Sequence, residues 1–462
     1  MRFVQAYNIN MKMDKKRELL EFQPYKVFYV DNQTYLFDGS SASIYKIDNT
    51  VMELLKYEGK GLEEVFEELC GKIDGKVLRD TLDKMKSCGF VSDNSITLNC
   101  EEIPCIKGVT LMLIQACNLA CKYCFGSEGE YADKGVMSKQ VAFDSIDYII
   151  EHSGNIQELH ITFFGGEPLL CFELIKQIVE YCKNKELVSG KKFKYSMTTN
   201  GTLLNDEINQ FIIKNRIGTM ISIDGDCEQQ NAKRYYKNGN GCYDEVIEKT
   251  AYLREIGHLT ARATITESNL ELKKVFEHLN SLGFESIPMA PAYNLLTDEE
   301  HGVYIKELNI LCDYFGKLLR TDVNKAKKIK ILWKAIKRIH SGAKQYTACG
   351  AGVHGVAVDI HGNLFPCHRF VSNKEFILGN IHSKEDARKD FANDINIESI
   401  DACKNCYLRL LCGGGCSYEN YVEAGSVHSV YKRQCEETQV IYNNVIAIYL
   451  TLSEDEKKEI FK

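Results

Sequence analysis

Two groups of cysteines dominate the chemistry this sequence can do. The first is Cys117-Asn118-Leu119-Ala120-Cys121-Lys122-Tyr123-Cys124, a CxxxCxxC run directly behind the strand-like stretch Val109 to Gln115. Three thiolates on one short loop can hold three irons of a 4Fe-4S cube and leave the fourth iron without a protein ligand. A chemically active cluster needs that vacancy, because a substrate or cofactor must reach the metal. Zinc is the alternative, although it prefers four ligands and usually pairs two CxxC-like halves. The second group is Cys349, Cys367, Cys403, Cys406, Cys412, Cys416 and Cys435, with Gly362 five residues before Cys367 and three glycines before Cys416. Seven thiolates are one short of two fully ligated cubes, so one further cluster would have an open iron. Two structural zinc sites are the other reading of this array.

The surrounding sequence must position these loops. From about Tyr25 to Val91 it reads as two short strands, VFYV and QTYLF, separated by a turn at Asp31-Asn32. Two amphipathic helical segments follow, Ser43 to Glu58 and Leu62 to Cys88. A small winged-helix-like domain over residues 22–97 is expected, ending in the polar stretch Ser92 to Lys107, which carries Pro104 as a linker would. Strands then alternate with helices. The strands are expected at Val109 to Gln115, Glu158 to Phe164, Phe193 to Thr199, Thr219 to Ile223, Ala261 to Ile265 and Glu285 to Met289. The helices include Ser138 to His152, Pro168 to Leu187 and Leu270 to Leu282. The rhythm predicts an α/β fold, a parallel sheet with helices outside, whose chemistry sits at the carboxyl ends of the strands. The expected division continues with a catalytic domain over 108–310, a helical bridge over 311–345, a cysteine-rich domain over 346–440 and a terminal helix over 441–462. The cysteine-rich part has too little apolar sequence for a conventional core, so metal centres are expected to hold it together.

Composition narrows the function classes. The net charge of -7 argues against a nucleic-acid partner. No apolar run approaches the roughly 18 to 20 residues of a membrane span. Met1 to Lys16 lacks the apolar core of a secretory signal, so a cytoplasmic location is expected. There, 19 cysteines favour metal ligation over disulfides. The scattered Cys70, Cys88, Cys171, Cys182 and Cys312 read as core filler.

The first cysteine run resembles the signature of the radical S-adenosylmethionine (SAM) superfamily, which has an aromatic before the last cysteine, here Tyr123. The resemblance implies that SAM chelates the open iron through its amino and carboxylate groups. One electron then releases methionine and a 5'-deoxyadenosyl radical that abstracts hydrogen. Gly165-Gly166-Glu167-Pro168, at the end of the next strand, resembles the family's GGEP element, which contacts the SAM amino group. Its glycines permit close backbone approach and Pro168 opens a helix. Thr198-Thr199-Asn200-Gly201 and Ser222-Ile223-Asp224-Gly225 resemble the TNG and SxDG elements, although Asn-Gly and Asp-Gly are turn formers anyway. Tyr123, Phe125, Gly165, Gly166, Glu167, Pro168, Asn200, Ser222 and Arg234 are therefore the expected SAM contacts, with Ser222 and Arg234 at its carboxylate.

The second array resembles the SPASM extension of peptide-modifying members. That resemblance implies a partial (β/α)6 TIM-type barrel and three 4Fe-4S clusters in all. Cys403, Cys406, Cys412 and Cys435 would hold an outer auxiliary cluster, and Cys349, Cys367 and Cys416 an inner one. The inner cluster's fourth ligand would be a substrate thiolate or Cys105. The N-terminal module resembles the leader-peptide recognition element of enzymes acting on ribosomally made peptides. The stretches Cys124 to Met137 and Phe365 to Phe370 resemble ranthipeptide (SCIFF-type) maturases, which form thioethers. Anaerobic sulfatase maturases typically carry an Asp base after the cysteine that aligns with Cys367. Here His368 stands there and is the candidate for proton transfer. The expected function is thioether cross-linking of a cysteine-rich precursor peptide, with flavodoxin or ferredoxin as electron donor. Formylglycine formation, a carbon-carbon cross-link and a non-catalytic iron-sulfur protein remain the other readings.

Overall fold

The computed structural model describes residues 19–91, 103–131 and 133–462. The chain divides into two compact units, Met1–Ile96 and Thr97–Lys462. Residues 92–102 of the expected linker and the start Met1 to Lys16 lie outside the described residues.

In the first unit, β1 (Tyr25–Val30), β2 (Gln33–Asp38) and β3 (Ser43–Ile47) form an antiparallel sheet in sequential order. Asp31 and Asn32 both have positive φ, 48° and 57°, and Val30 pairs with Gln33. This is the two-residue hairpin turn whose twist matches the strands. The expected helix from Ser43 begins instead as β3, because Ser43-Ile-Tyr-Lys-Ile47 alternates with period two and finds Gln33–Asp38 as its partner. Helix begins only at Asn49–Leu54, capped by Asp48. The expected helix Leu62 to Cys88 is broken into Leu62–Leu69 and Gly75–Ser87, the second started by the Asp74 side chain accepting from Lys76 N and Val77 N. Leu20, Leu36, Leu54, Val65, Leu69, Leu78 and Leu82 form its buried core. Cys70 and Cys88, expected inside, are exposed residues closing those two helices.

The second unit is built on one nine-stranded sheet. Its parallel strands are β4 (Gly108–Ile114), β5 (Glu158–Gly165), β6 (Lys192–Thr199), β7 (Gly218–Ser222), β8 (Leu259–Ile265) and β9 (Met289–Pro291). They lie side by side in sequence order, the winding of a barrel-type sheet rather than a doubly wound one, whose order reverses. The last strand was expected over Glu285 to Met289. Ser286 makes only an isolated bridge to Thr260, and the ladder forms later, Ala263 to Ile265 pairing with Met289 to Pro291. One face carries the apolar residues Val109, Leu111, Ile161 and Phe163, all buried. The half-buried Thr110, Thr162 and Ser196 align in register on the other, with Thr162 and Ser196 hydroxyls 2.9 Å apart.

The cysteine-rich segment, expected to depend on metal centres for want of a core, has strands and a buried apolar core of its own. β10 (Gly355–Val358), β11 (Asn363–Phe365) and β12 (Gly379–Asn380) extend the same sheet, β10 running parallel to β4. Val356, Ala357, Val358, Leu364, Phe365 and Phe370 are buried there. The expected boundaries at 310/311 and 440/441 fall inside the helices Asp298–Thr321 and Lys432–Leu450. Cys182 and Cys312 are buried as expected of core thiols, while Cys171 is only partly covered. Among the described residues no helix is long and apolar enough to cross a membrane.

Leu54→Ala is expected to destabilise the first unit by about 2 to 5 kcal/mol. Hydrogen exchange should then accelerate across residues 19–91 and leave the amides of β4 to β8 as they were.

Candidate radical and iron-sulfur site

The carboxyl ends of β4 to β7 deliver the candidate residues to one place. Behind β4, the loop bearing Cys117, Cys121 and Cys124 is gripped from two sides by backbone. On one side Gly166 N donates to Ile114 O at 2.8 Å and Glu167 N to Ala116 O at 3.0 Å. On the other, Ala120 N donates to Tyr235 O at 2.8 Å and Lys122 N to Lys233 O at 3.0 Å. The first grip explains the paired glycines. A Cβ on Gly165, whose φ is 137°, would meet Ile114 O at 2.2 Å, and one on Gly166 would meet Ala116 O at 2.0 Å. Both obstacles are backbone, so neither can swing aside.

Glu167 does its work inside the protein. It is 0% exposed. One carboxylate oxygen accepts from the Thr199 hydroxyl at 2.7 Å and Leu169 N at 3.0 Å, the other from Asn200 N at 2.7 Å. Burial raises its pKa, and these donors oppose the rise. It therefore ties the end of β5 to the end of β6, and Pro168 beside it is buried as well. Asn200 passes the tie to the cysteine loop, its Nδ2 reaching Asn118 Oδ1 at 2.8 Å and the Cys117 sulfur at 3.8 Å. Asn118 in turn donates to Thr202 at 2.8 Å.

A second group joins the loop to β7. The Tyr123 hydroxyl donates to Asp224 Oδ2 and accepts from Arg234 Nη1 at 2.6 Å. Asp224 and Arg234 are 2% and 7% exposed. Burial raises the Asp224 pKa, opposed chiefly by the Arg234 charge. Arg234 Nε is buried without a partner. Ser222 is half-buried and in register with Arg262 on β8. The Ser222-Ile223-Asp224-Gly225 spacing alone does not mark Asp224 as a site residue. The signal that would have found it is the need of a buried arginine for a carboxylate.

These residues fit a SAM-binding 4Fe-4S cluster. The three thiols are electrostatic neighbours, Leu119 N donates to the Cys117 sulfur at 3.4 Å, and Arg234 keeps a free donor. Burial pushes the Cys121 thiol up to about 12, so binding metal must displace protons. Among the described residues no three His, Cys, Asp or Glu side chains lie close enough to hold one metal ion.

The other seven cysteines fall into two neighbourhoods. Cys367 interacts with Cys416 and Cys349, and Cys403 with Cys412, Cys406 and Cys435. Cys412 and Cys416 are four residues apart yet serve different sets. The chain between them turns through Gly413, Gly414 and Gly415, with φ of 72°, 90° and 77°. Three consecutive left-handed residues are costly for anything but glycine. Cys105 is exposed, and its sulfur lies where a Cβ on Gly154, just past the helix Lys139–Glu151, would meet it at 2.8 Å.

His368, next to Cys367, packs against two rings of the first system, its ring centre 4.5 Å from that of Phe164 and 5.7 Å from that of Phe125. Burial, then Arg369 and Arg262, lower its pKa to about 4. The ring is neutral at pH 7 and, with its protonated form disfavoured, a weak base. Sequence reasoning missed Glu437, a buried carboxylate taking hydroxyl donations from Tyr293 and, at 2.8 Å, Tyr304. It lies on the helix that carries Cys435.

Gly166→Ala is expected to displace the cysteine loop: iron content after reconstitution should fall by about four per chain, with far-UV circular dichroism unchanged. Glu167→Gln puts an amide donor where three donors converge and should cost about 1 to 3 kcal/mol, read as a lowered unfolding midpoint and weaker SAM binding.

Comparison with known proteins agrees with this geometry. Residues 111–277 match the model of the radical SAM superfamily. Over 90% of this chain and 93% of the relative, the sequence is 23% identical to the radical SAM cyclopropyl synthase TigE of Paramaledivibacter caminithermalis. It is 26% identical to the serine-type anaerobic sulfatase-maturating enzyme of Bacteroides thetaiotaomicron, over 65% of this chain and 80% of that one. Among solved structures, anSMEcpe with bound AdoMet and Cp18Cys peptide superposes with a TM-score of 0.63 at 20% identity, over 76% of this chain and 99% of that one. The superfamily match starts in β4 and spans the cysteine loop, Gly165-Gly166 and Asp224, so this stretch of the chain is similar to radical SAM enzymes, and the relatives include a cyclopropyl synthase and sulfatase-maturating enzymes.

Proposed function

We propose that this enzyme modifies a ribosomally made, cysteine-rich peptide, joining a cysteine sulfur to a carbon of the same peptide as a thioether. The observation that carries the reading is the division of seven cysteines into four and three. Four thiols complete the ligation of one cube, and three leave an iron that a peptide thiolate can take. The anSMEcpe structure, which holds both AdoMet and a peptide, lends support from the same fold.

When bound, the cluster on Cys117, Cys121 and Cys124 supplies one-electron cleavage of SAM to a 5'-deoxyadenosyl radical, and clusters on the other seven cysteines supply an acceptor for a second electron. The chain's own residues do the rest. Arg234, fixed by Tyr123 and Asp224, presents a donor for the SAM carboxylate. Asn200 and Leu119 N hold the Cys117 sulfur. Phe125 and Phe164 wall the space around His368, and the thiol proton is released when the thiolate binds metal. Per cross-link the peptide loses a hydrogen atom from carbon, a proton from sulfur and one electron, and a carbon-sulfur bond forms. The first unit, residues 19–91, is proposed to bind the leader of the precursor through its sheet.

A second reading is a carbon-carbon bond, favoured by the similarity over nearly the whole chain to a radical SAM cyclopropyl synthase. Formylglycine formation is a third, favoured by the sulfatase-maturating relatives. Anaerobic turnover with SAM, reductant and a cysteine-rich precursor peptide tests all three. Thioether formation predicts 5'-deoxyadenosine, loss of two hydrogens per bond, and cysteines that no longer react with iodoacetamide. The same mass loss with thiols still reactive means carbon-carbon bonding when the product carries no hydrazine-reactive aldehyde, and formylglycine from serine when it does; loss of sulfur from the peptide means formylglycine from cysteine. Deoxyadenosine with an unchanged peptide overturns the substrate assignment alone.

A further inference from the structure

Arg369 stands where the two cysteine systems meet and is a ligand in neither. It follows Cys367 by two residues, and its backbone N–H donates to the Cys367 sulfur. Its guanidinium lies 4.2 Å from the ring centre of Tyr418, two residues after Cys416, and 5.4 Å from that of Phe125, the residue after Cys124. Nη1 donates to Glu419 Oε1 at 2.5 Å. The two side chains are 27% and 13% exposed, and Arg369 Nε is buried without a partner. Arg369 also interacts electrostatically with Cys416.

An ion pair taken this far out of water rarely gains net stability, so its placement calls for another explanation. A cation held in low dielectric acts strongly on charge nearby, and charge, hydrogen bonds to sulfur and exposure are what set a cluster's reduction potential. Adding an electron beside a fixed positive charge is favoured, and beside a fixed negative one disfavoured. The two rings and Glu419 deny the guanidinium the freedom that would average its field away.

We propose that Arg369 is a positioning residue that sets the reduction potential of the cluster on Cys349, Cys367 and Cys416, with Glu419 as the opposing charge. This rests on the cluster reading above. The step is a one-electron reduction in which no bond to Arg369 is made or broken. In turnover the electron is the one leaving the peptide, and in the test it comes from dithionite.

The test is a dithionite titration of the reconstituted full-length enzyme followed by electron paramagnetic resonance, comparing the native protein with Arg369→Gln, Arg369→Lys and Glu419→Gln. Arg369→Gln should lower the potential of this cluster, shifting its reduced-to-oxidised ratio at a fixed applied potential at least tenfold, 59 mV for one electron. Glu419→Gln should shift it the opposite way, and Arg369→Lys, which keeps the charge, should recover most of the native value. The signal lost in Cys117→Ala should move less in all three. Shifts of the same sign in Arg369→Gln and Glu419→Gln, or none, would overturn the proposal, because a purely structural role has no reason to invert with charge. If Arg369→Gln fails to assemble its clusters, the direction of the Glu419→Gln shift decides. Iron analysis of the Cys349→Ala, Cys367→Ala, Cys416→Ala triple variant separates the two levels. A loss of about four irons with unmoved potentials sinks this inference alone, and no loss of iron sinks the cluster reading together with it.

Discussion

Everything at the candidate site depends on how closely two pieces of backbone approach each other. Residues 114–117 and 165–167 lie so near that no side chain fits between them at Gly165 or Gly166. The two hydrogen bonds made there fix where the cysteine loop leaves β4, and the contacts of 120 and 122 with 235 and 233 fix its far side. A loop of three cysteines has no core of its own. Its shape comes from backbone bonds to neighbouring strand ends, which a parallel sheet places next to one another because their carboxyl ends point the same way.

Around that loop, buried charge is consistently matched. Glu167 has three donors, Asp224 has Tyr123 and Thr264 N at 2.9 Å, and Arg369 has Glu419. An unpaired buried charge costs several kcal/mol, so these pairs hold each other in place as much as they prepare for ligands. The unmatched atoms are then informative: Arg234 Nε and Arg369 Nε are both buried without partners, one beside the SAM-type cysteine loop and one beside the set of Cys349, Cys367 and Cys416.

The cysteine-rich segment is supported by the main sheet. Its strands β10 to β12 join the main sheet through β4, so the strand that leads to Cys117 is flanked on one side by β5 and on the other by the segment that leads to Cys367. The two cysteine systems are thereby referenced to one rigid element, and the contacts of His368 and Arg369 with Phe125 follow from it.

The sequence by itself determined the strand positions of β4 to β8, the cysteine loop and the helices after β4 and β5, because period-two and period-3.6 patterns and turn residues act locally. Cysteine spacing also separated the loop at Cys117 from the later array. The start of β3 at Ser43 was not legible, since a five-residue strand depends on the partner it finds in β2. The joining of β10 to β4 was equally hidden, a contact between residues some 250 apart in the chain. The same holds for Asp224 with Tyr123 and Arg234, and for Arg369 between Phe125 and Tyr418. Such pairs carry no periodic mark, because what selects them is the cost of leaving a charge unmatched once the fold has buried it, and burial is decided only by the tertiary structure.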